Sequence, residues 1–217
     1  MENNLYSLIH KKTILSYIIL CSIITILLTY INQRLILTDK CYYDSFIKQM
    51  SAEKIGVLIE NKDNLFSFLF GPTFLLIKML LISLPIYIGI ILVNIKITFQ
   101  DLFKIVAIAE LIFFIPMIIK IIWFYFFDKE YILNDLINFY PLSALSLFDY
   151  KHVEPFLIYP LQILNFFELF YSFFLAYGIS KVIKIDIQRG MKIVLSTYIP
   201  TIILWVVFVT FLSLNAT

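Results

Sequence analysis

Long apolar runs separated by short charged segments dominate the chain. Five runs are long enough to cross a bilayer, over about 13–31, 71–95, 103–126, 155–179 and 191–213. Backbone polar groups in lipid must be satisfied within their own element, so runs of this length are expected to be helices. A barrel would need strict alternation of apolar and polar positions, and none is present. The pattern predicts an all-α fold: a polytopic transmembrane helical bundle of about five spans, forming a single integral membrane domain over 1–217.

The two long connections are patterned as well. In "YYDSFIKQMSAEKIGVLIENKDNLFSFLFGP", Phe46, Ile47, Met50, Ile55, Leu58 and Ile59 recur near helical spacing. This predicts a short amphipathic helix lying on the membrane or capping the bundle. Asn61 to Asn64 should end it, and Gly71-Pro72 should open the second span. "DKEYILNDLINFYPLSALSLFDY" predicts one short interfacial helix, a break at Pro141 and a second apolar turn. Tyr131, Tyr140 and Tyr150 suit the membrane interface.

Composition supports the bilayer as solvent. Of 217 residues 61% are hydrophobic and 18% aromatic, with 22 Phe and 14 Tyr. Soluble domains are typically about 45–50% apolar. A net charge of +2 gives no argument for nucleic acid. Lys11 and Lys12 precede the first run without a small-x-small cleavage site after it, which predicts an uncleaved first helix. Lys96, Lys104, Lys181, Lys184, Arg189 and Lys192 fall on the same side as Lys11 and Lys12. The positive-inside rule then places the N-terminus in the cytoplasm and the C-terminus outside. The charge-balanced first loop weighs against this without reversing it. The Ile-, Lys- and Asn-rich chain suggests a bacterial inner membrane.

Several polar side chains interrupt the runs. In "YPLQILNFFELFYSFFLAYGIS", Gln162, Asn165, Glu168 and Ser172 are spaced by three, three and four. On one continuous helix they form a single stripe, which predicts that this face meets protein or water rather than lipid. Glu168 is expected about 18 Å along the helix from Ser180, near mid-membrane. An ionised, unpaired carboxylate there would cost several kcal/mol, so it should be neutral, paired or hydrated. Glu110 is a second intramembrane carboxylate, with Ala107 on the same face to allow close helix approach. Lys78 and Lys120 are placed to snorkel toward headgroups, and Lys78 is a candidate partner for Glu168. Glu110 and Glu168 can be read as packing devices or as a proton, cation or polar-substrate site. Pro85, Pro116 and Pro200 could kink their helices. Ser22, Thr25 and Thr29, and Thr197, Thr201 and Trp205, mark faces that could join helices.

Catalytic signals do not accompany these residues. There is no HExxH, Walker A loop, glycine-rich dinucleotide turn or GxSxG elbow. Cys21 and Cys41 are split between lipid and water, which excludes a disulfide between them, and His10 and His152 form no zinc signature. No catalytic residue, metal ligand or cofactor is expected.

The segment from about 70 to 212 resembles the Yip1-type multispan membrane proteins. The resemblance lies in "GPTFLLIKMLLISLPIYIGI", "FKIVAIAELIFFIP", "FYPLSALSLF" and "YPLQILNFFELFYSFFLAYGIS", followed by a basic turn and a last helix with a central proline. It implies a compact helical bundle without an enzymatic centre, acting through partner proteins in membrane trafficking or organisation. The trafficking members also carry a long cytosolic N-terminal region and a DLYGP-like segment, of which only "FSFLFGP" is present. Trafficking therefore does not carry over, and no functional residue does. The sequence predicts a non-enzymatic membrane protein that associates with itself or with other membrane proteins, surrounded by membrane lipids. The alternative is a small transporter or permease subunit built on the intramembrane carboxylates.

Overall fold

The computed structural model describes residues 13–62 and 65–215. His10, Lys11, Lys12, Asp63, Asn64 and Thr217 lie outside the described residues. The described residues contain α-helices and short 3-10 turns but no strand. Among the described residues five helices are long and apolar enough to cross a membrane, and the chain is an integral membrane protein.

Helix α1 spans Ile14–Leu35. The first long connection carries two helices where the spacing predicted one, α2 at Asp39–Phe46 and α3 at Ala52–Asn61. They part at an extended Ser51, which serves as the N-cap of α3. Of the predicted apolar face, Ile55 is buried, while Ile47, Met50 and Leu58 are exposed. The second long helix, α4, runs Leu65–Leu92 and starts before Gly71-Pro72. Pro72 and Pro85 lie inside it, with neighbouring helices holding the chain in place. Gly71 faces α1 closely: an added Cβ would sit 2.9 Å from Thr25 Cγ2.

The third apolar run is not a uniform helix. It begins at α5, Phe99–Ala109, where the Thr98 side chain caps the start by accepting from the Asp101 N–H at 3.1 Å. It tightens into a 3-10 turn at Glu110–Phe113 and resumes as α6, Phe114–Phe126. Pro116 offers a physical cause. It cannot donate to the Ile112 carbonyl, and its ring crowds that carbonyl, so the preceding turn tightens.

The second connection matches its pattern. Helix α7, Leu133–Asn138, is followed by a break around Pro141 and a 3-10 turn at Ala144–Leu147. The fourth apolar run, expected as one span over 155–179, is two helices: α8 at Pro155–Ile163 and α9 at Phe166–Ile183. Between them Leu164 and Asn165 leave the helical conformation. A left-handed Lys184 ends α9, and α10 follows directly as Ile187–Asn215.

Helices α5 and α9 form the middle of the bundle. Leu102, Ile105, Val106, Ala107 and Ala109 of α5 pack with Leu175, Ala176 and Ile179 of α9, Ile86 and Ile90 of α4, and Val194 of α10. Small residues let the axes approach: a Cβ at Gly178 would stand 2.6 Å from Ile105 Cγ2. A second, smaller core joins the end of α1 to α2, α6 and α7 through Ile36, Cys41, Phe124, Tyr131 and Leu136.

Candidate functional site: an intramembrane cluster of charged groups and tyrosines

The site starts from Glu110, placed at the head of the 3-10 turn by the disturbance that precedes Pro116. Its side chain is fully buried, at 0% exposure, and both oxygens are partnered. Lys78 Nζ donates to Oε2 at 2.9 Å, and the Tyr171 hydroxyl donates to Oε1 at 3.0 Å. Lys78 comes from α4 and Tyr171 from α9, so one carboxylate ties three segments together. The Lys78 ammonium also stands 3.6 Å from the centre of the Phe113 ring, a cation–π contact.

Glu168 lies one turn away from Tyr171 on α9. Its Oε2 accepts from the Tyr198 hydroxyl of α10 at 2.7 Å. The rings of Tyr171 and Tyr198 are in contact, with centroids 5.3 Å apart. Two glutamate–tyrosine pairs therefore stand side by side, and the lysine belongs to one of them.

The expected stripe on one helix is corrected here. Gln162 sits at the end of α8, and Asn165 is the N-cap of α9, so they do not share a helix with Glu168 and Ser172. Asn165 is extended at φ −140° and ψ 160°, and its Oδ1 accepts from the Glu168 N–H at 2.8 Å. A cap is worth about 1 kcal/mol, and a buried open backbone costs more. The neighbouring connection supplies the missing partners: Ala144 N–H donates to the Leu164 carbonyl at 2.7 Å, and Phe166 N–H to Leu142 at 3.2 Å. Gln162 Nε2 donates to the Ile137 carbonyl at 3.2 Å. Asn165 and Ser172 are buried, whereas Glu168 is half-buried.

The lysine expectations also change. Lys78 pairs with Glu110 rather than with Glu168. Lys120 does not extend outward along lipid but donates to the Leu136 carbonyl near the end of α7. That carbonyl is one of those a short helix leaves unpaired at its end, so it attracts a nearby cation. Thr25, Thr197 and Thr201 donate to carbonyls of their own helices, at 2.8, 2.7 and 2.8 Å. Thr25 and Thr197 join helices through their methyl groups instead, Thr25 against Gly71 and Thr197 against Gly89. Trp205 does bridge two elements, donating to the Tyr159 hydroxyl of α8 at 2.7 Å. Ala107 is fully buried, and the Cys21 thiol of α1 reaches its carbonyl at 3.5 Å.

Outside the spans, the loops hold their own polar contacts. Tyr131 donates to the Ile36 carbonyl at 2.8 Å, and Tyr150 to Asp135 Oδ1 at 2.7 Å. Burial pushes the Cys41 thiol up to about 11 and the Tyr140 phenol up to about 12. The Tyr150 phenol is raised by burial and by its bond to Asp135. The exposed Asp149 carboxyl is lowered, first by the Lys151 backbone N–H.

Tyr171 and Tyr198 were not singled out from sequence. The signal was available: both are phenols deep in apolar runs, away from the interfacial belt, and Tyr171 follows Glu168 by three. The N-x-x-E spacing of Asn165 and Glu168 before an apolar run was likewise the mark of a helix start.

No family model, no curated protein and no solved structure matches this chain.

Proposed function

We propose that this protein acts inside the bilayer by lateral association, with a second copy of itself or with another membrane protein, and not through a catalytic centre. The observation that carries the reading is the unequal burial of one ion pair. Glu110 is fully enclosed, while the Lys78 side chain is 41% exposed. Lys78 lies about 20 Å from each end of α4, on the face that also exposes Phe74 and Leu81. A half-exposed lysine at that depth is poorly solvated by lipid tails. A partner helix over Phe74, Lys78 and Leu81 would complete its surroundings. The Yip1-type resemblance implies the same kind of role, and on this reading the protein sits in a bacterial inner membrane with its N-terminus in the cytoplasm and its C-terminus outside. Gentle detergent extraction followed by crosslinking and mass measurement tests it. A complex larger than one chain is expected; a strictly monomeric protein without a co-purifying membrane partner contradicts it.

A second reading has one observation in its favour. The fourth span is broken at Leu164–Asn165, one turn from Glu168, and discontinuous helices are a feature of transporter sites. On this reading the chain is a small transporter or permease subunit using Glu110 and Glu168. Reconstituted flux that persists in the Glu110→Gln/Glu168→Gln double variant removes that mechanism.

A further inference from the structure

The cluster holds two carboxylates and one lysine. Lys78 is committed to Glu110 at 2.9 Å. Among the described residues no cation lies within salt-bridge distance of Glu168. Lys78 of α4, bonded to Glu110, still acts on Glu168 electrostatically, and the other groups that face Glu168 are phenols and Glu110 itself. Tyr198 comes from α10 and Tyr171 from α9, with Tyr140 from the connection after α7 and Tyr159 from α8 within electrostatic reach. With both carboxylates ionised, the cluster would carry one uncompensated negative charge among apolar helices. Lipid offers no counter-ion to balance it.

We propose that the cluster binds one exchangeable proton, carried by Glu168, so that the site is neutral as Lys78 ammonium, Glu110 carboxylate and Glu168 carboxylic acid. The hydrogen bonds select Glu168. Glu110 accepts on both oxygens, one bond coming from the ammonium, so neither oxygen is left to carry a hydrogen. Glu168 receives one side-chain donor, the Tyr198 hydroxyl on Oε2, which leaves Oε1 to carry the hydrogen. The first turn of α9 favours the anion, but a helix terminus acts more weakly than the loss of water around a carboxylate. The site is also placed to exchange its proton. Glu168 lies in the first turn of α9, at the Phe166 end of its span and beside the break at Leu164–Asn165, whereas Glu110 is enclosed. Loading is the transfer of a proton from hydronium in the aqueous phase to a carboxylate oxygen, leaving water, and needs no other reactant. The proposal is independent of any partner over Lys78.

Neutrality fixes the number of protons as carboxylates minus cations, and each variant then has its own value. Infrared spectra of the full chain, labelled with carbon-13 glutamate and reconstituted in lipid at neutral pH, count protonated carboxyl groups. The wild type is expected to show one. Glu168→Gln should show none, and Glu110→Gln none, because Lys78 is then free to neutralise Glu168. Lys78→Met should show two. Tyr198→Phe keeps the ring and should shift the wild-type band by removing its hydrogen bond. A wild-type spectrum without a protonated band overturns the proposal without any variant. A band that survives Glu168→Gln, or that Tyr198→Phe leaves unshifted, overturns the assignment to Glu168.

Discussion

Lys78, halfway along α4, and Glu110, at the head of the 3-10 turn, meet at 2.9 Å, and the Tyr171 hydroxyl closes the same carboxylate from a third segment. The pair joins α4, α9 and the 3-10 turn in the middle of the bundle. Removing one member leaves the other without its partner, which is costlier than removing both. Lys78→Met should therefore destabilise by about 3 kcal/mol, toward the low end for a buried pair because Lys78 is partly exposed. The Lys78→Met/Glu110→Gln double variant should recover much of that loss. Thermal unfolding in detergent measures both. A double variant less stable than Lys78→Met contradicts the pairing.

Close helix approach makes a second prediction. A Cβ at Gly89 would collide with Thr197, and one at Gly190 would collide with Ser180 Oγ and the Ala176 carbonyl. Alanine at either position should cost about 1–3 kcal/mol through overpacking. Gly56 has nothing within 4 Å of an added Cβ, so Gly56→Ala should be neutral or stabilise by up to about 1 kcal/mol through helix propensity. Equal effects at all three sites would mean that the α4–α10 and α9–α10 contacts are misplaced.

The joint between α8 and α9 rests on Asn165. Its side chain accepts from Glu168 N–H and donates to the Gln162 carbonyl at 2.8 Å. Asn165→Ala should cost about 0.5–2 kcal/mol, and Asn165→Asp or Asn165→Ser less, because both keep a capping oxygen. Melting temperatures of the three variants decide this. An Asn165→Ala protein as stable as the wild type would indicate one unbroken helix through this segment, as the sequence pattern first implies.

Much of the architecture was legible in the chain. Spans are set by the length of apolar runs, and that signal survives any detail of packing. Internal breaks were harder to see. Apolar side chains continue through Leu164, so hydropathy alone hides the joint there; its mark is the Asn165–Glu168 spacing. The 3-10 turn at Glu110 depends on Pro116, which lies a turn and a half further along. Pairing was least accessible. The sequence made Lys78 a candidate partner for Glu168, but which carboxylate it meets depends on how α4 rotates against its neighbours. Nothing within a single helix encodes that rotation.

Cys41 offers a test of the loop core and of topology. It is a residue of α2, buried in the small core with Ile36, Phe124, Tyr131 and Leu136, and burial, with Asp44 and Asp135 adding smaller pushes, raises its thiol from 9.0 to about 11. A thiolate-selective reagent should therefore react slowly at pH 8 even from the correct side of the membrane, and faster as pH rises toward about 11. The sign for stability is set by the same shift. Below pH 9 the thiol is neutral in both states and its contribution is complete; between pH 9 and about 11 the unfolded chain releases its proton first, and stability falls. Rapid labelling of Cys41 at pH 7 would mean that the second core is open. A cysteine placed at the exposed Lys129 should label without this barrier, and intact cells should label there if the N-terminus is inside.

Association through the Lys78 face is the central claim, and site-specific photocrosslinking in the native membrane tests it most directly. A photoreactive amino acid would be placed at Phe74 and Leu81, which flank Lys78 on its exposed face, and at Leu204 of α10 as a lipid-facing control. Positions 74 and 81 should give the same discrete protein adduct, with a mass that distinguishes a second copy from a different partner, while position 204 gives lipid adducts. Lipid adducts alone at both 74 and 81, equal to those at 204, would contradict the claim.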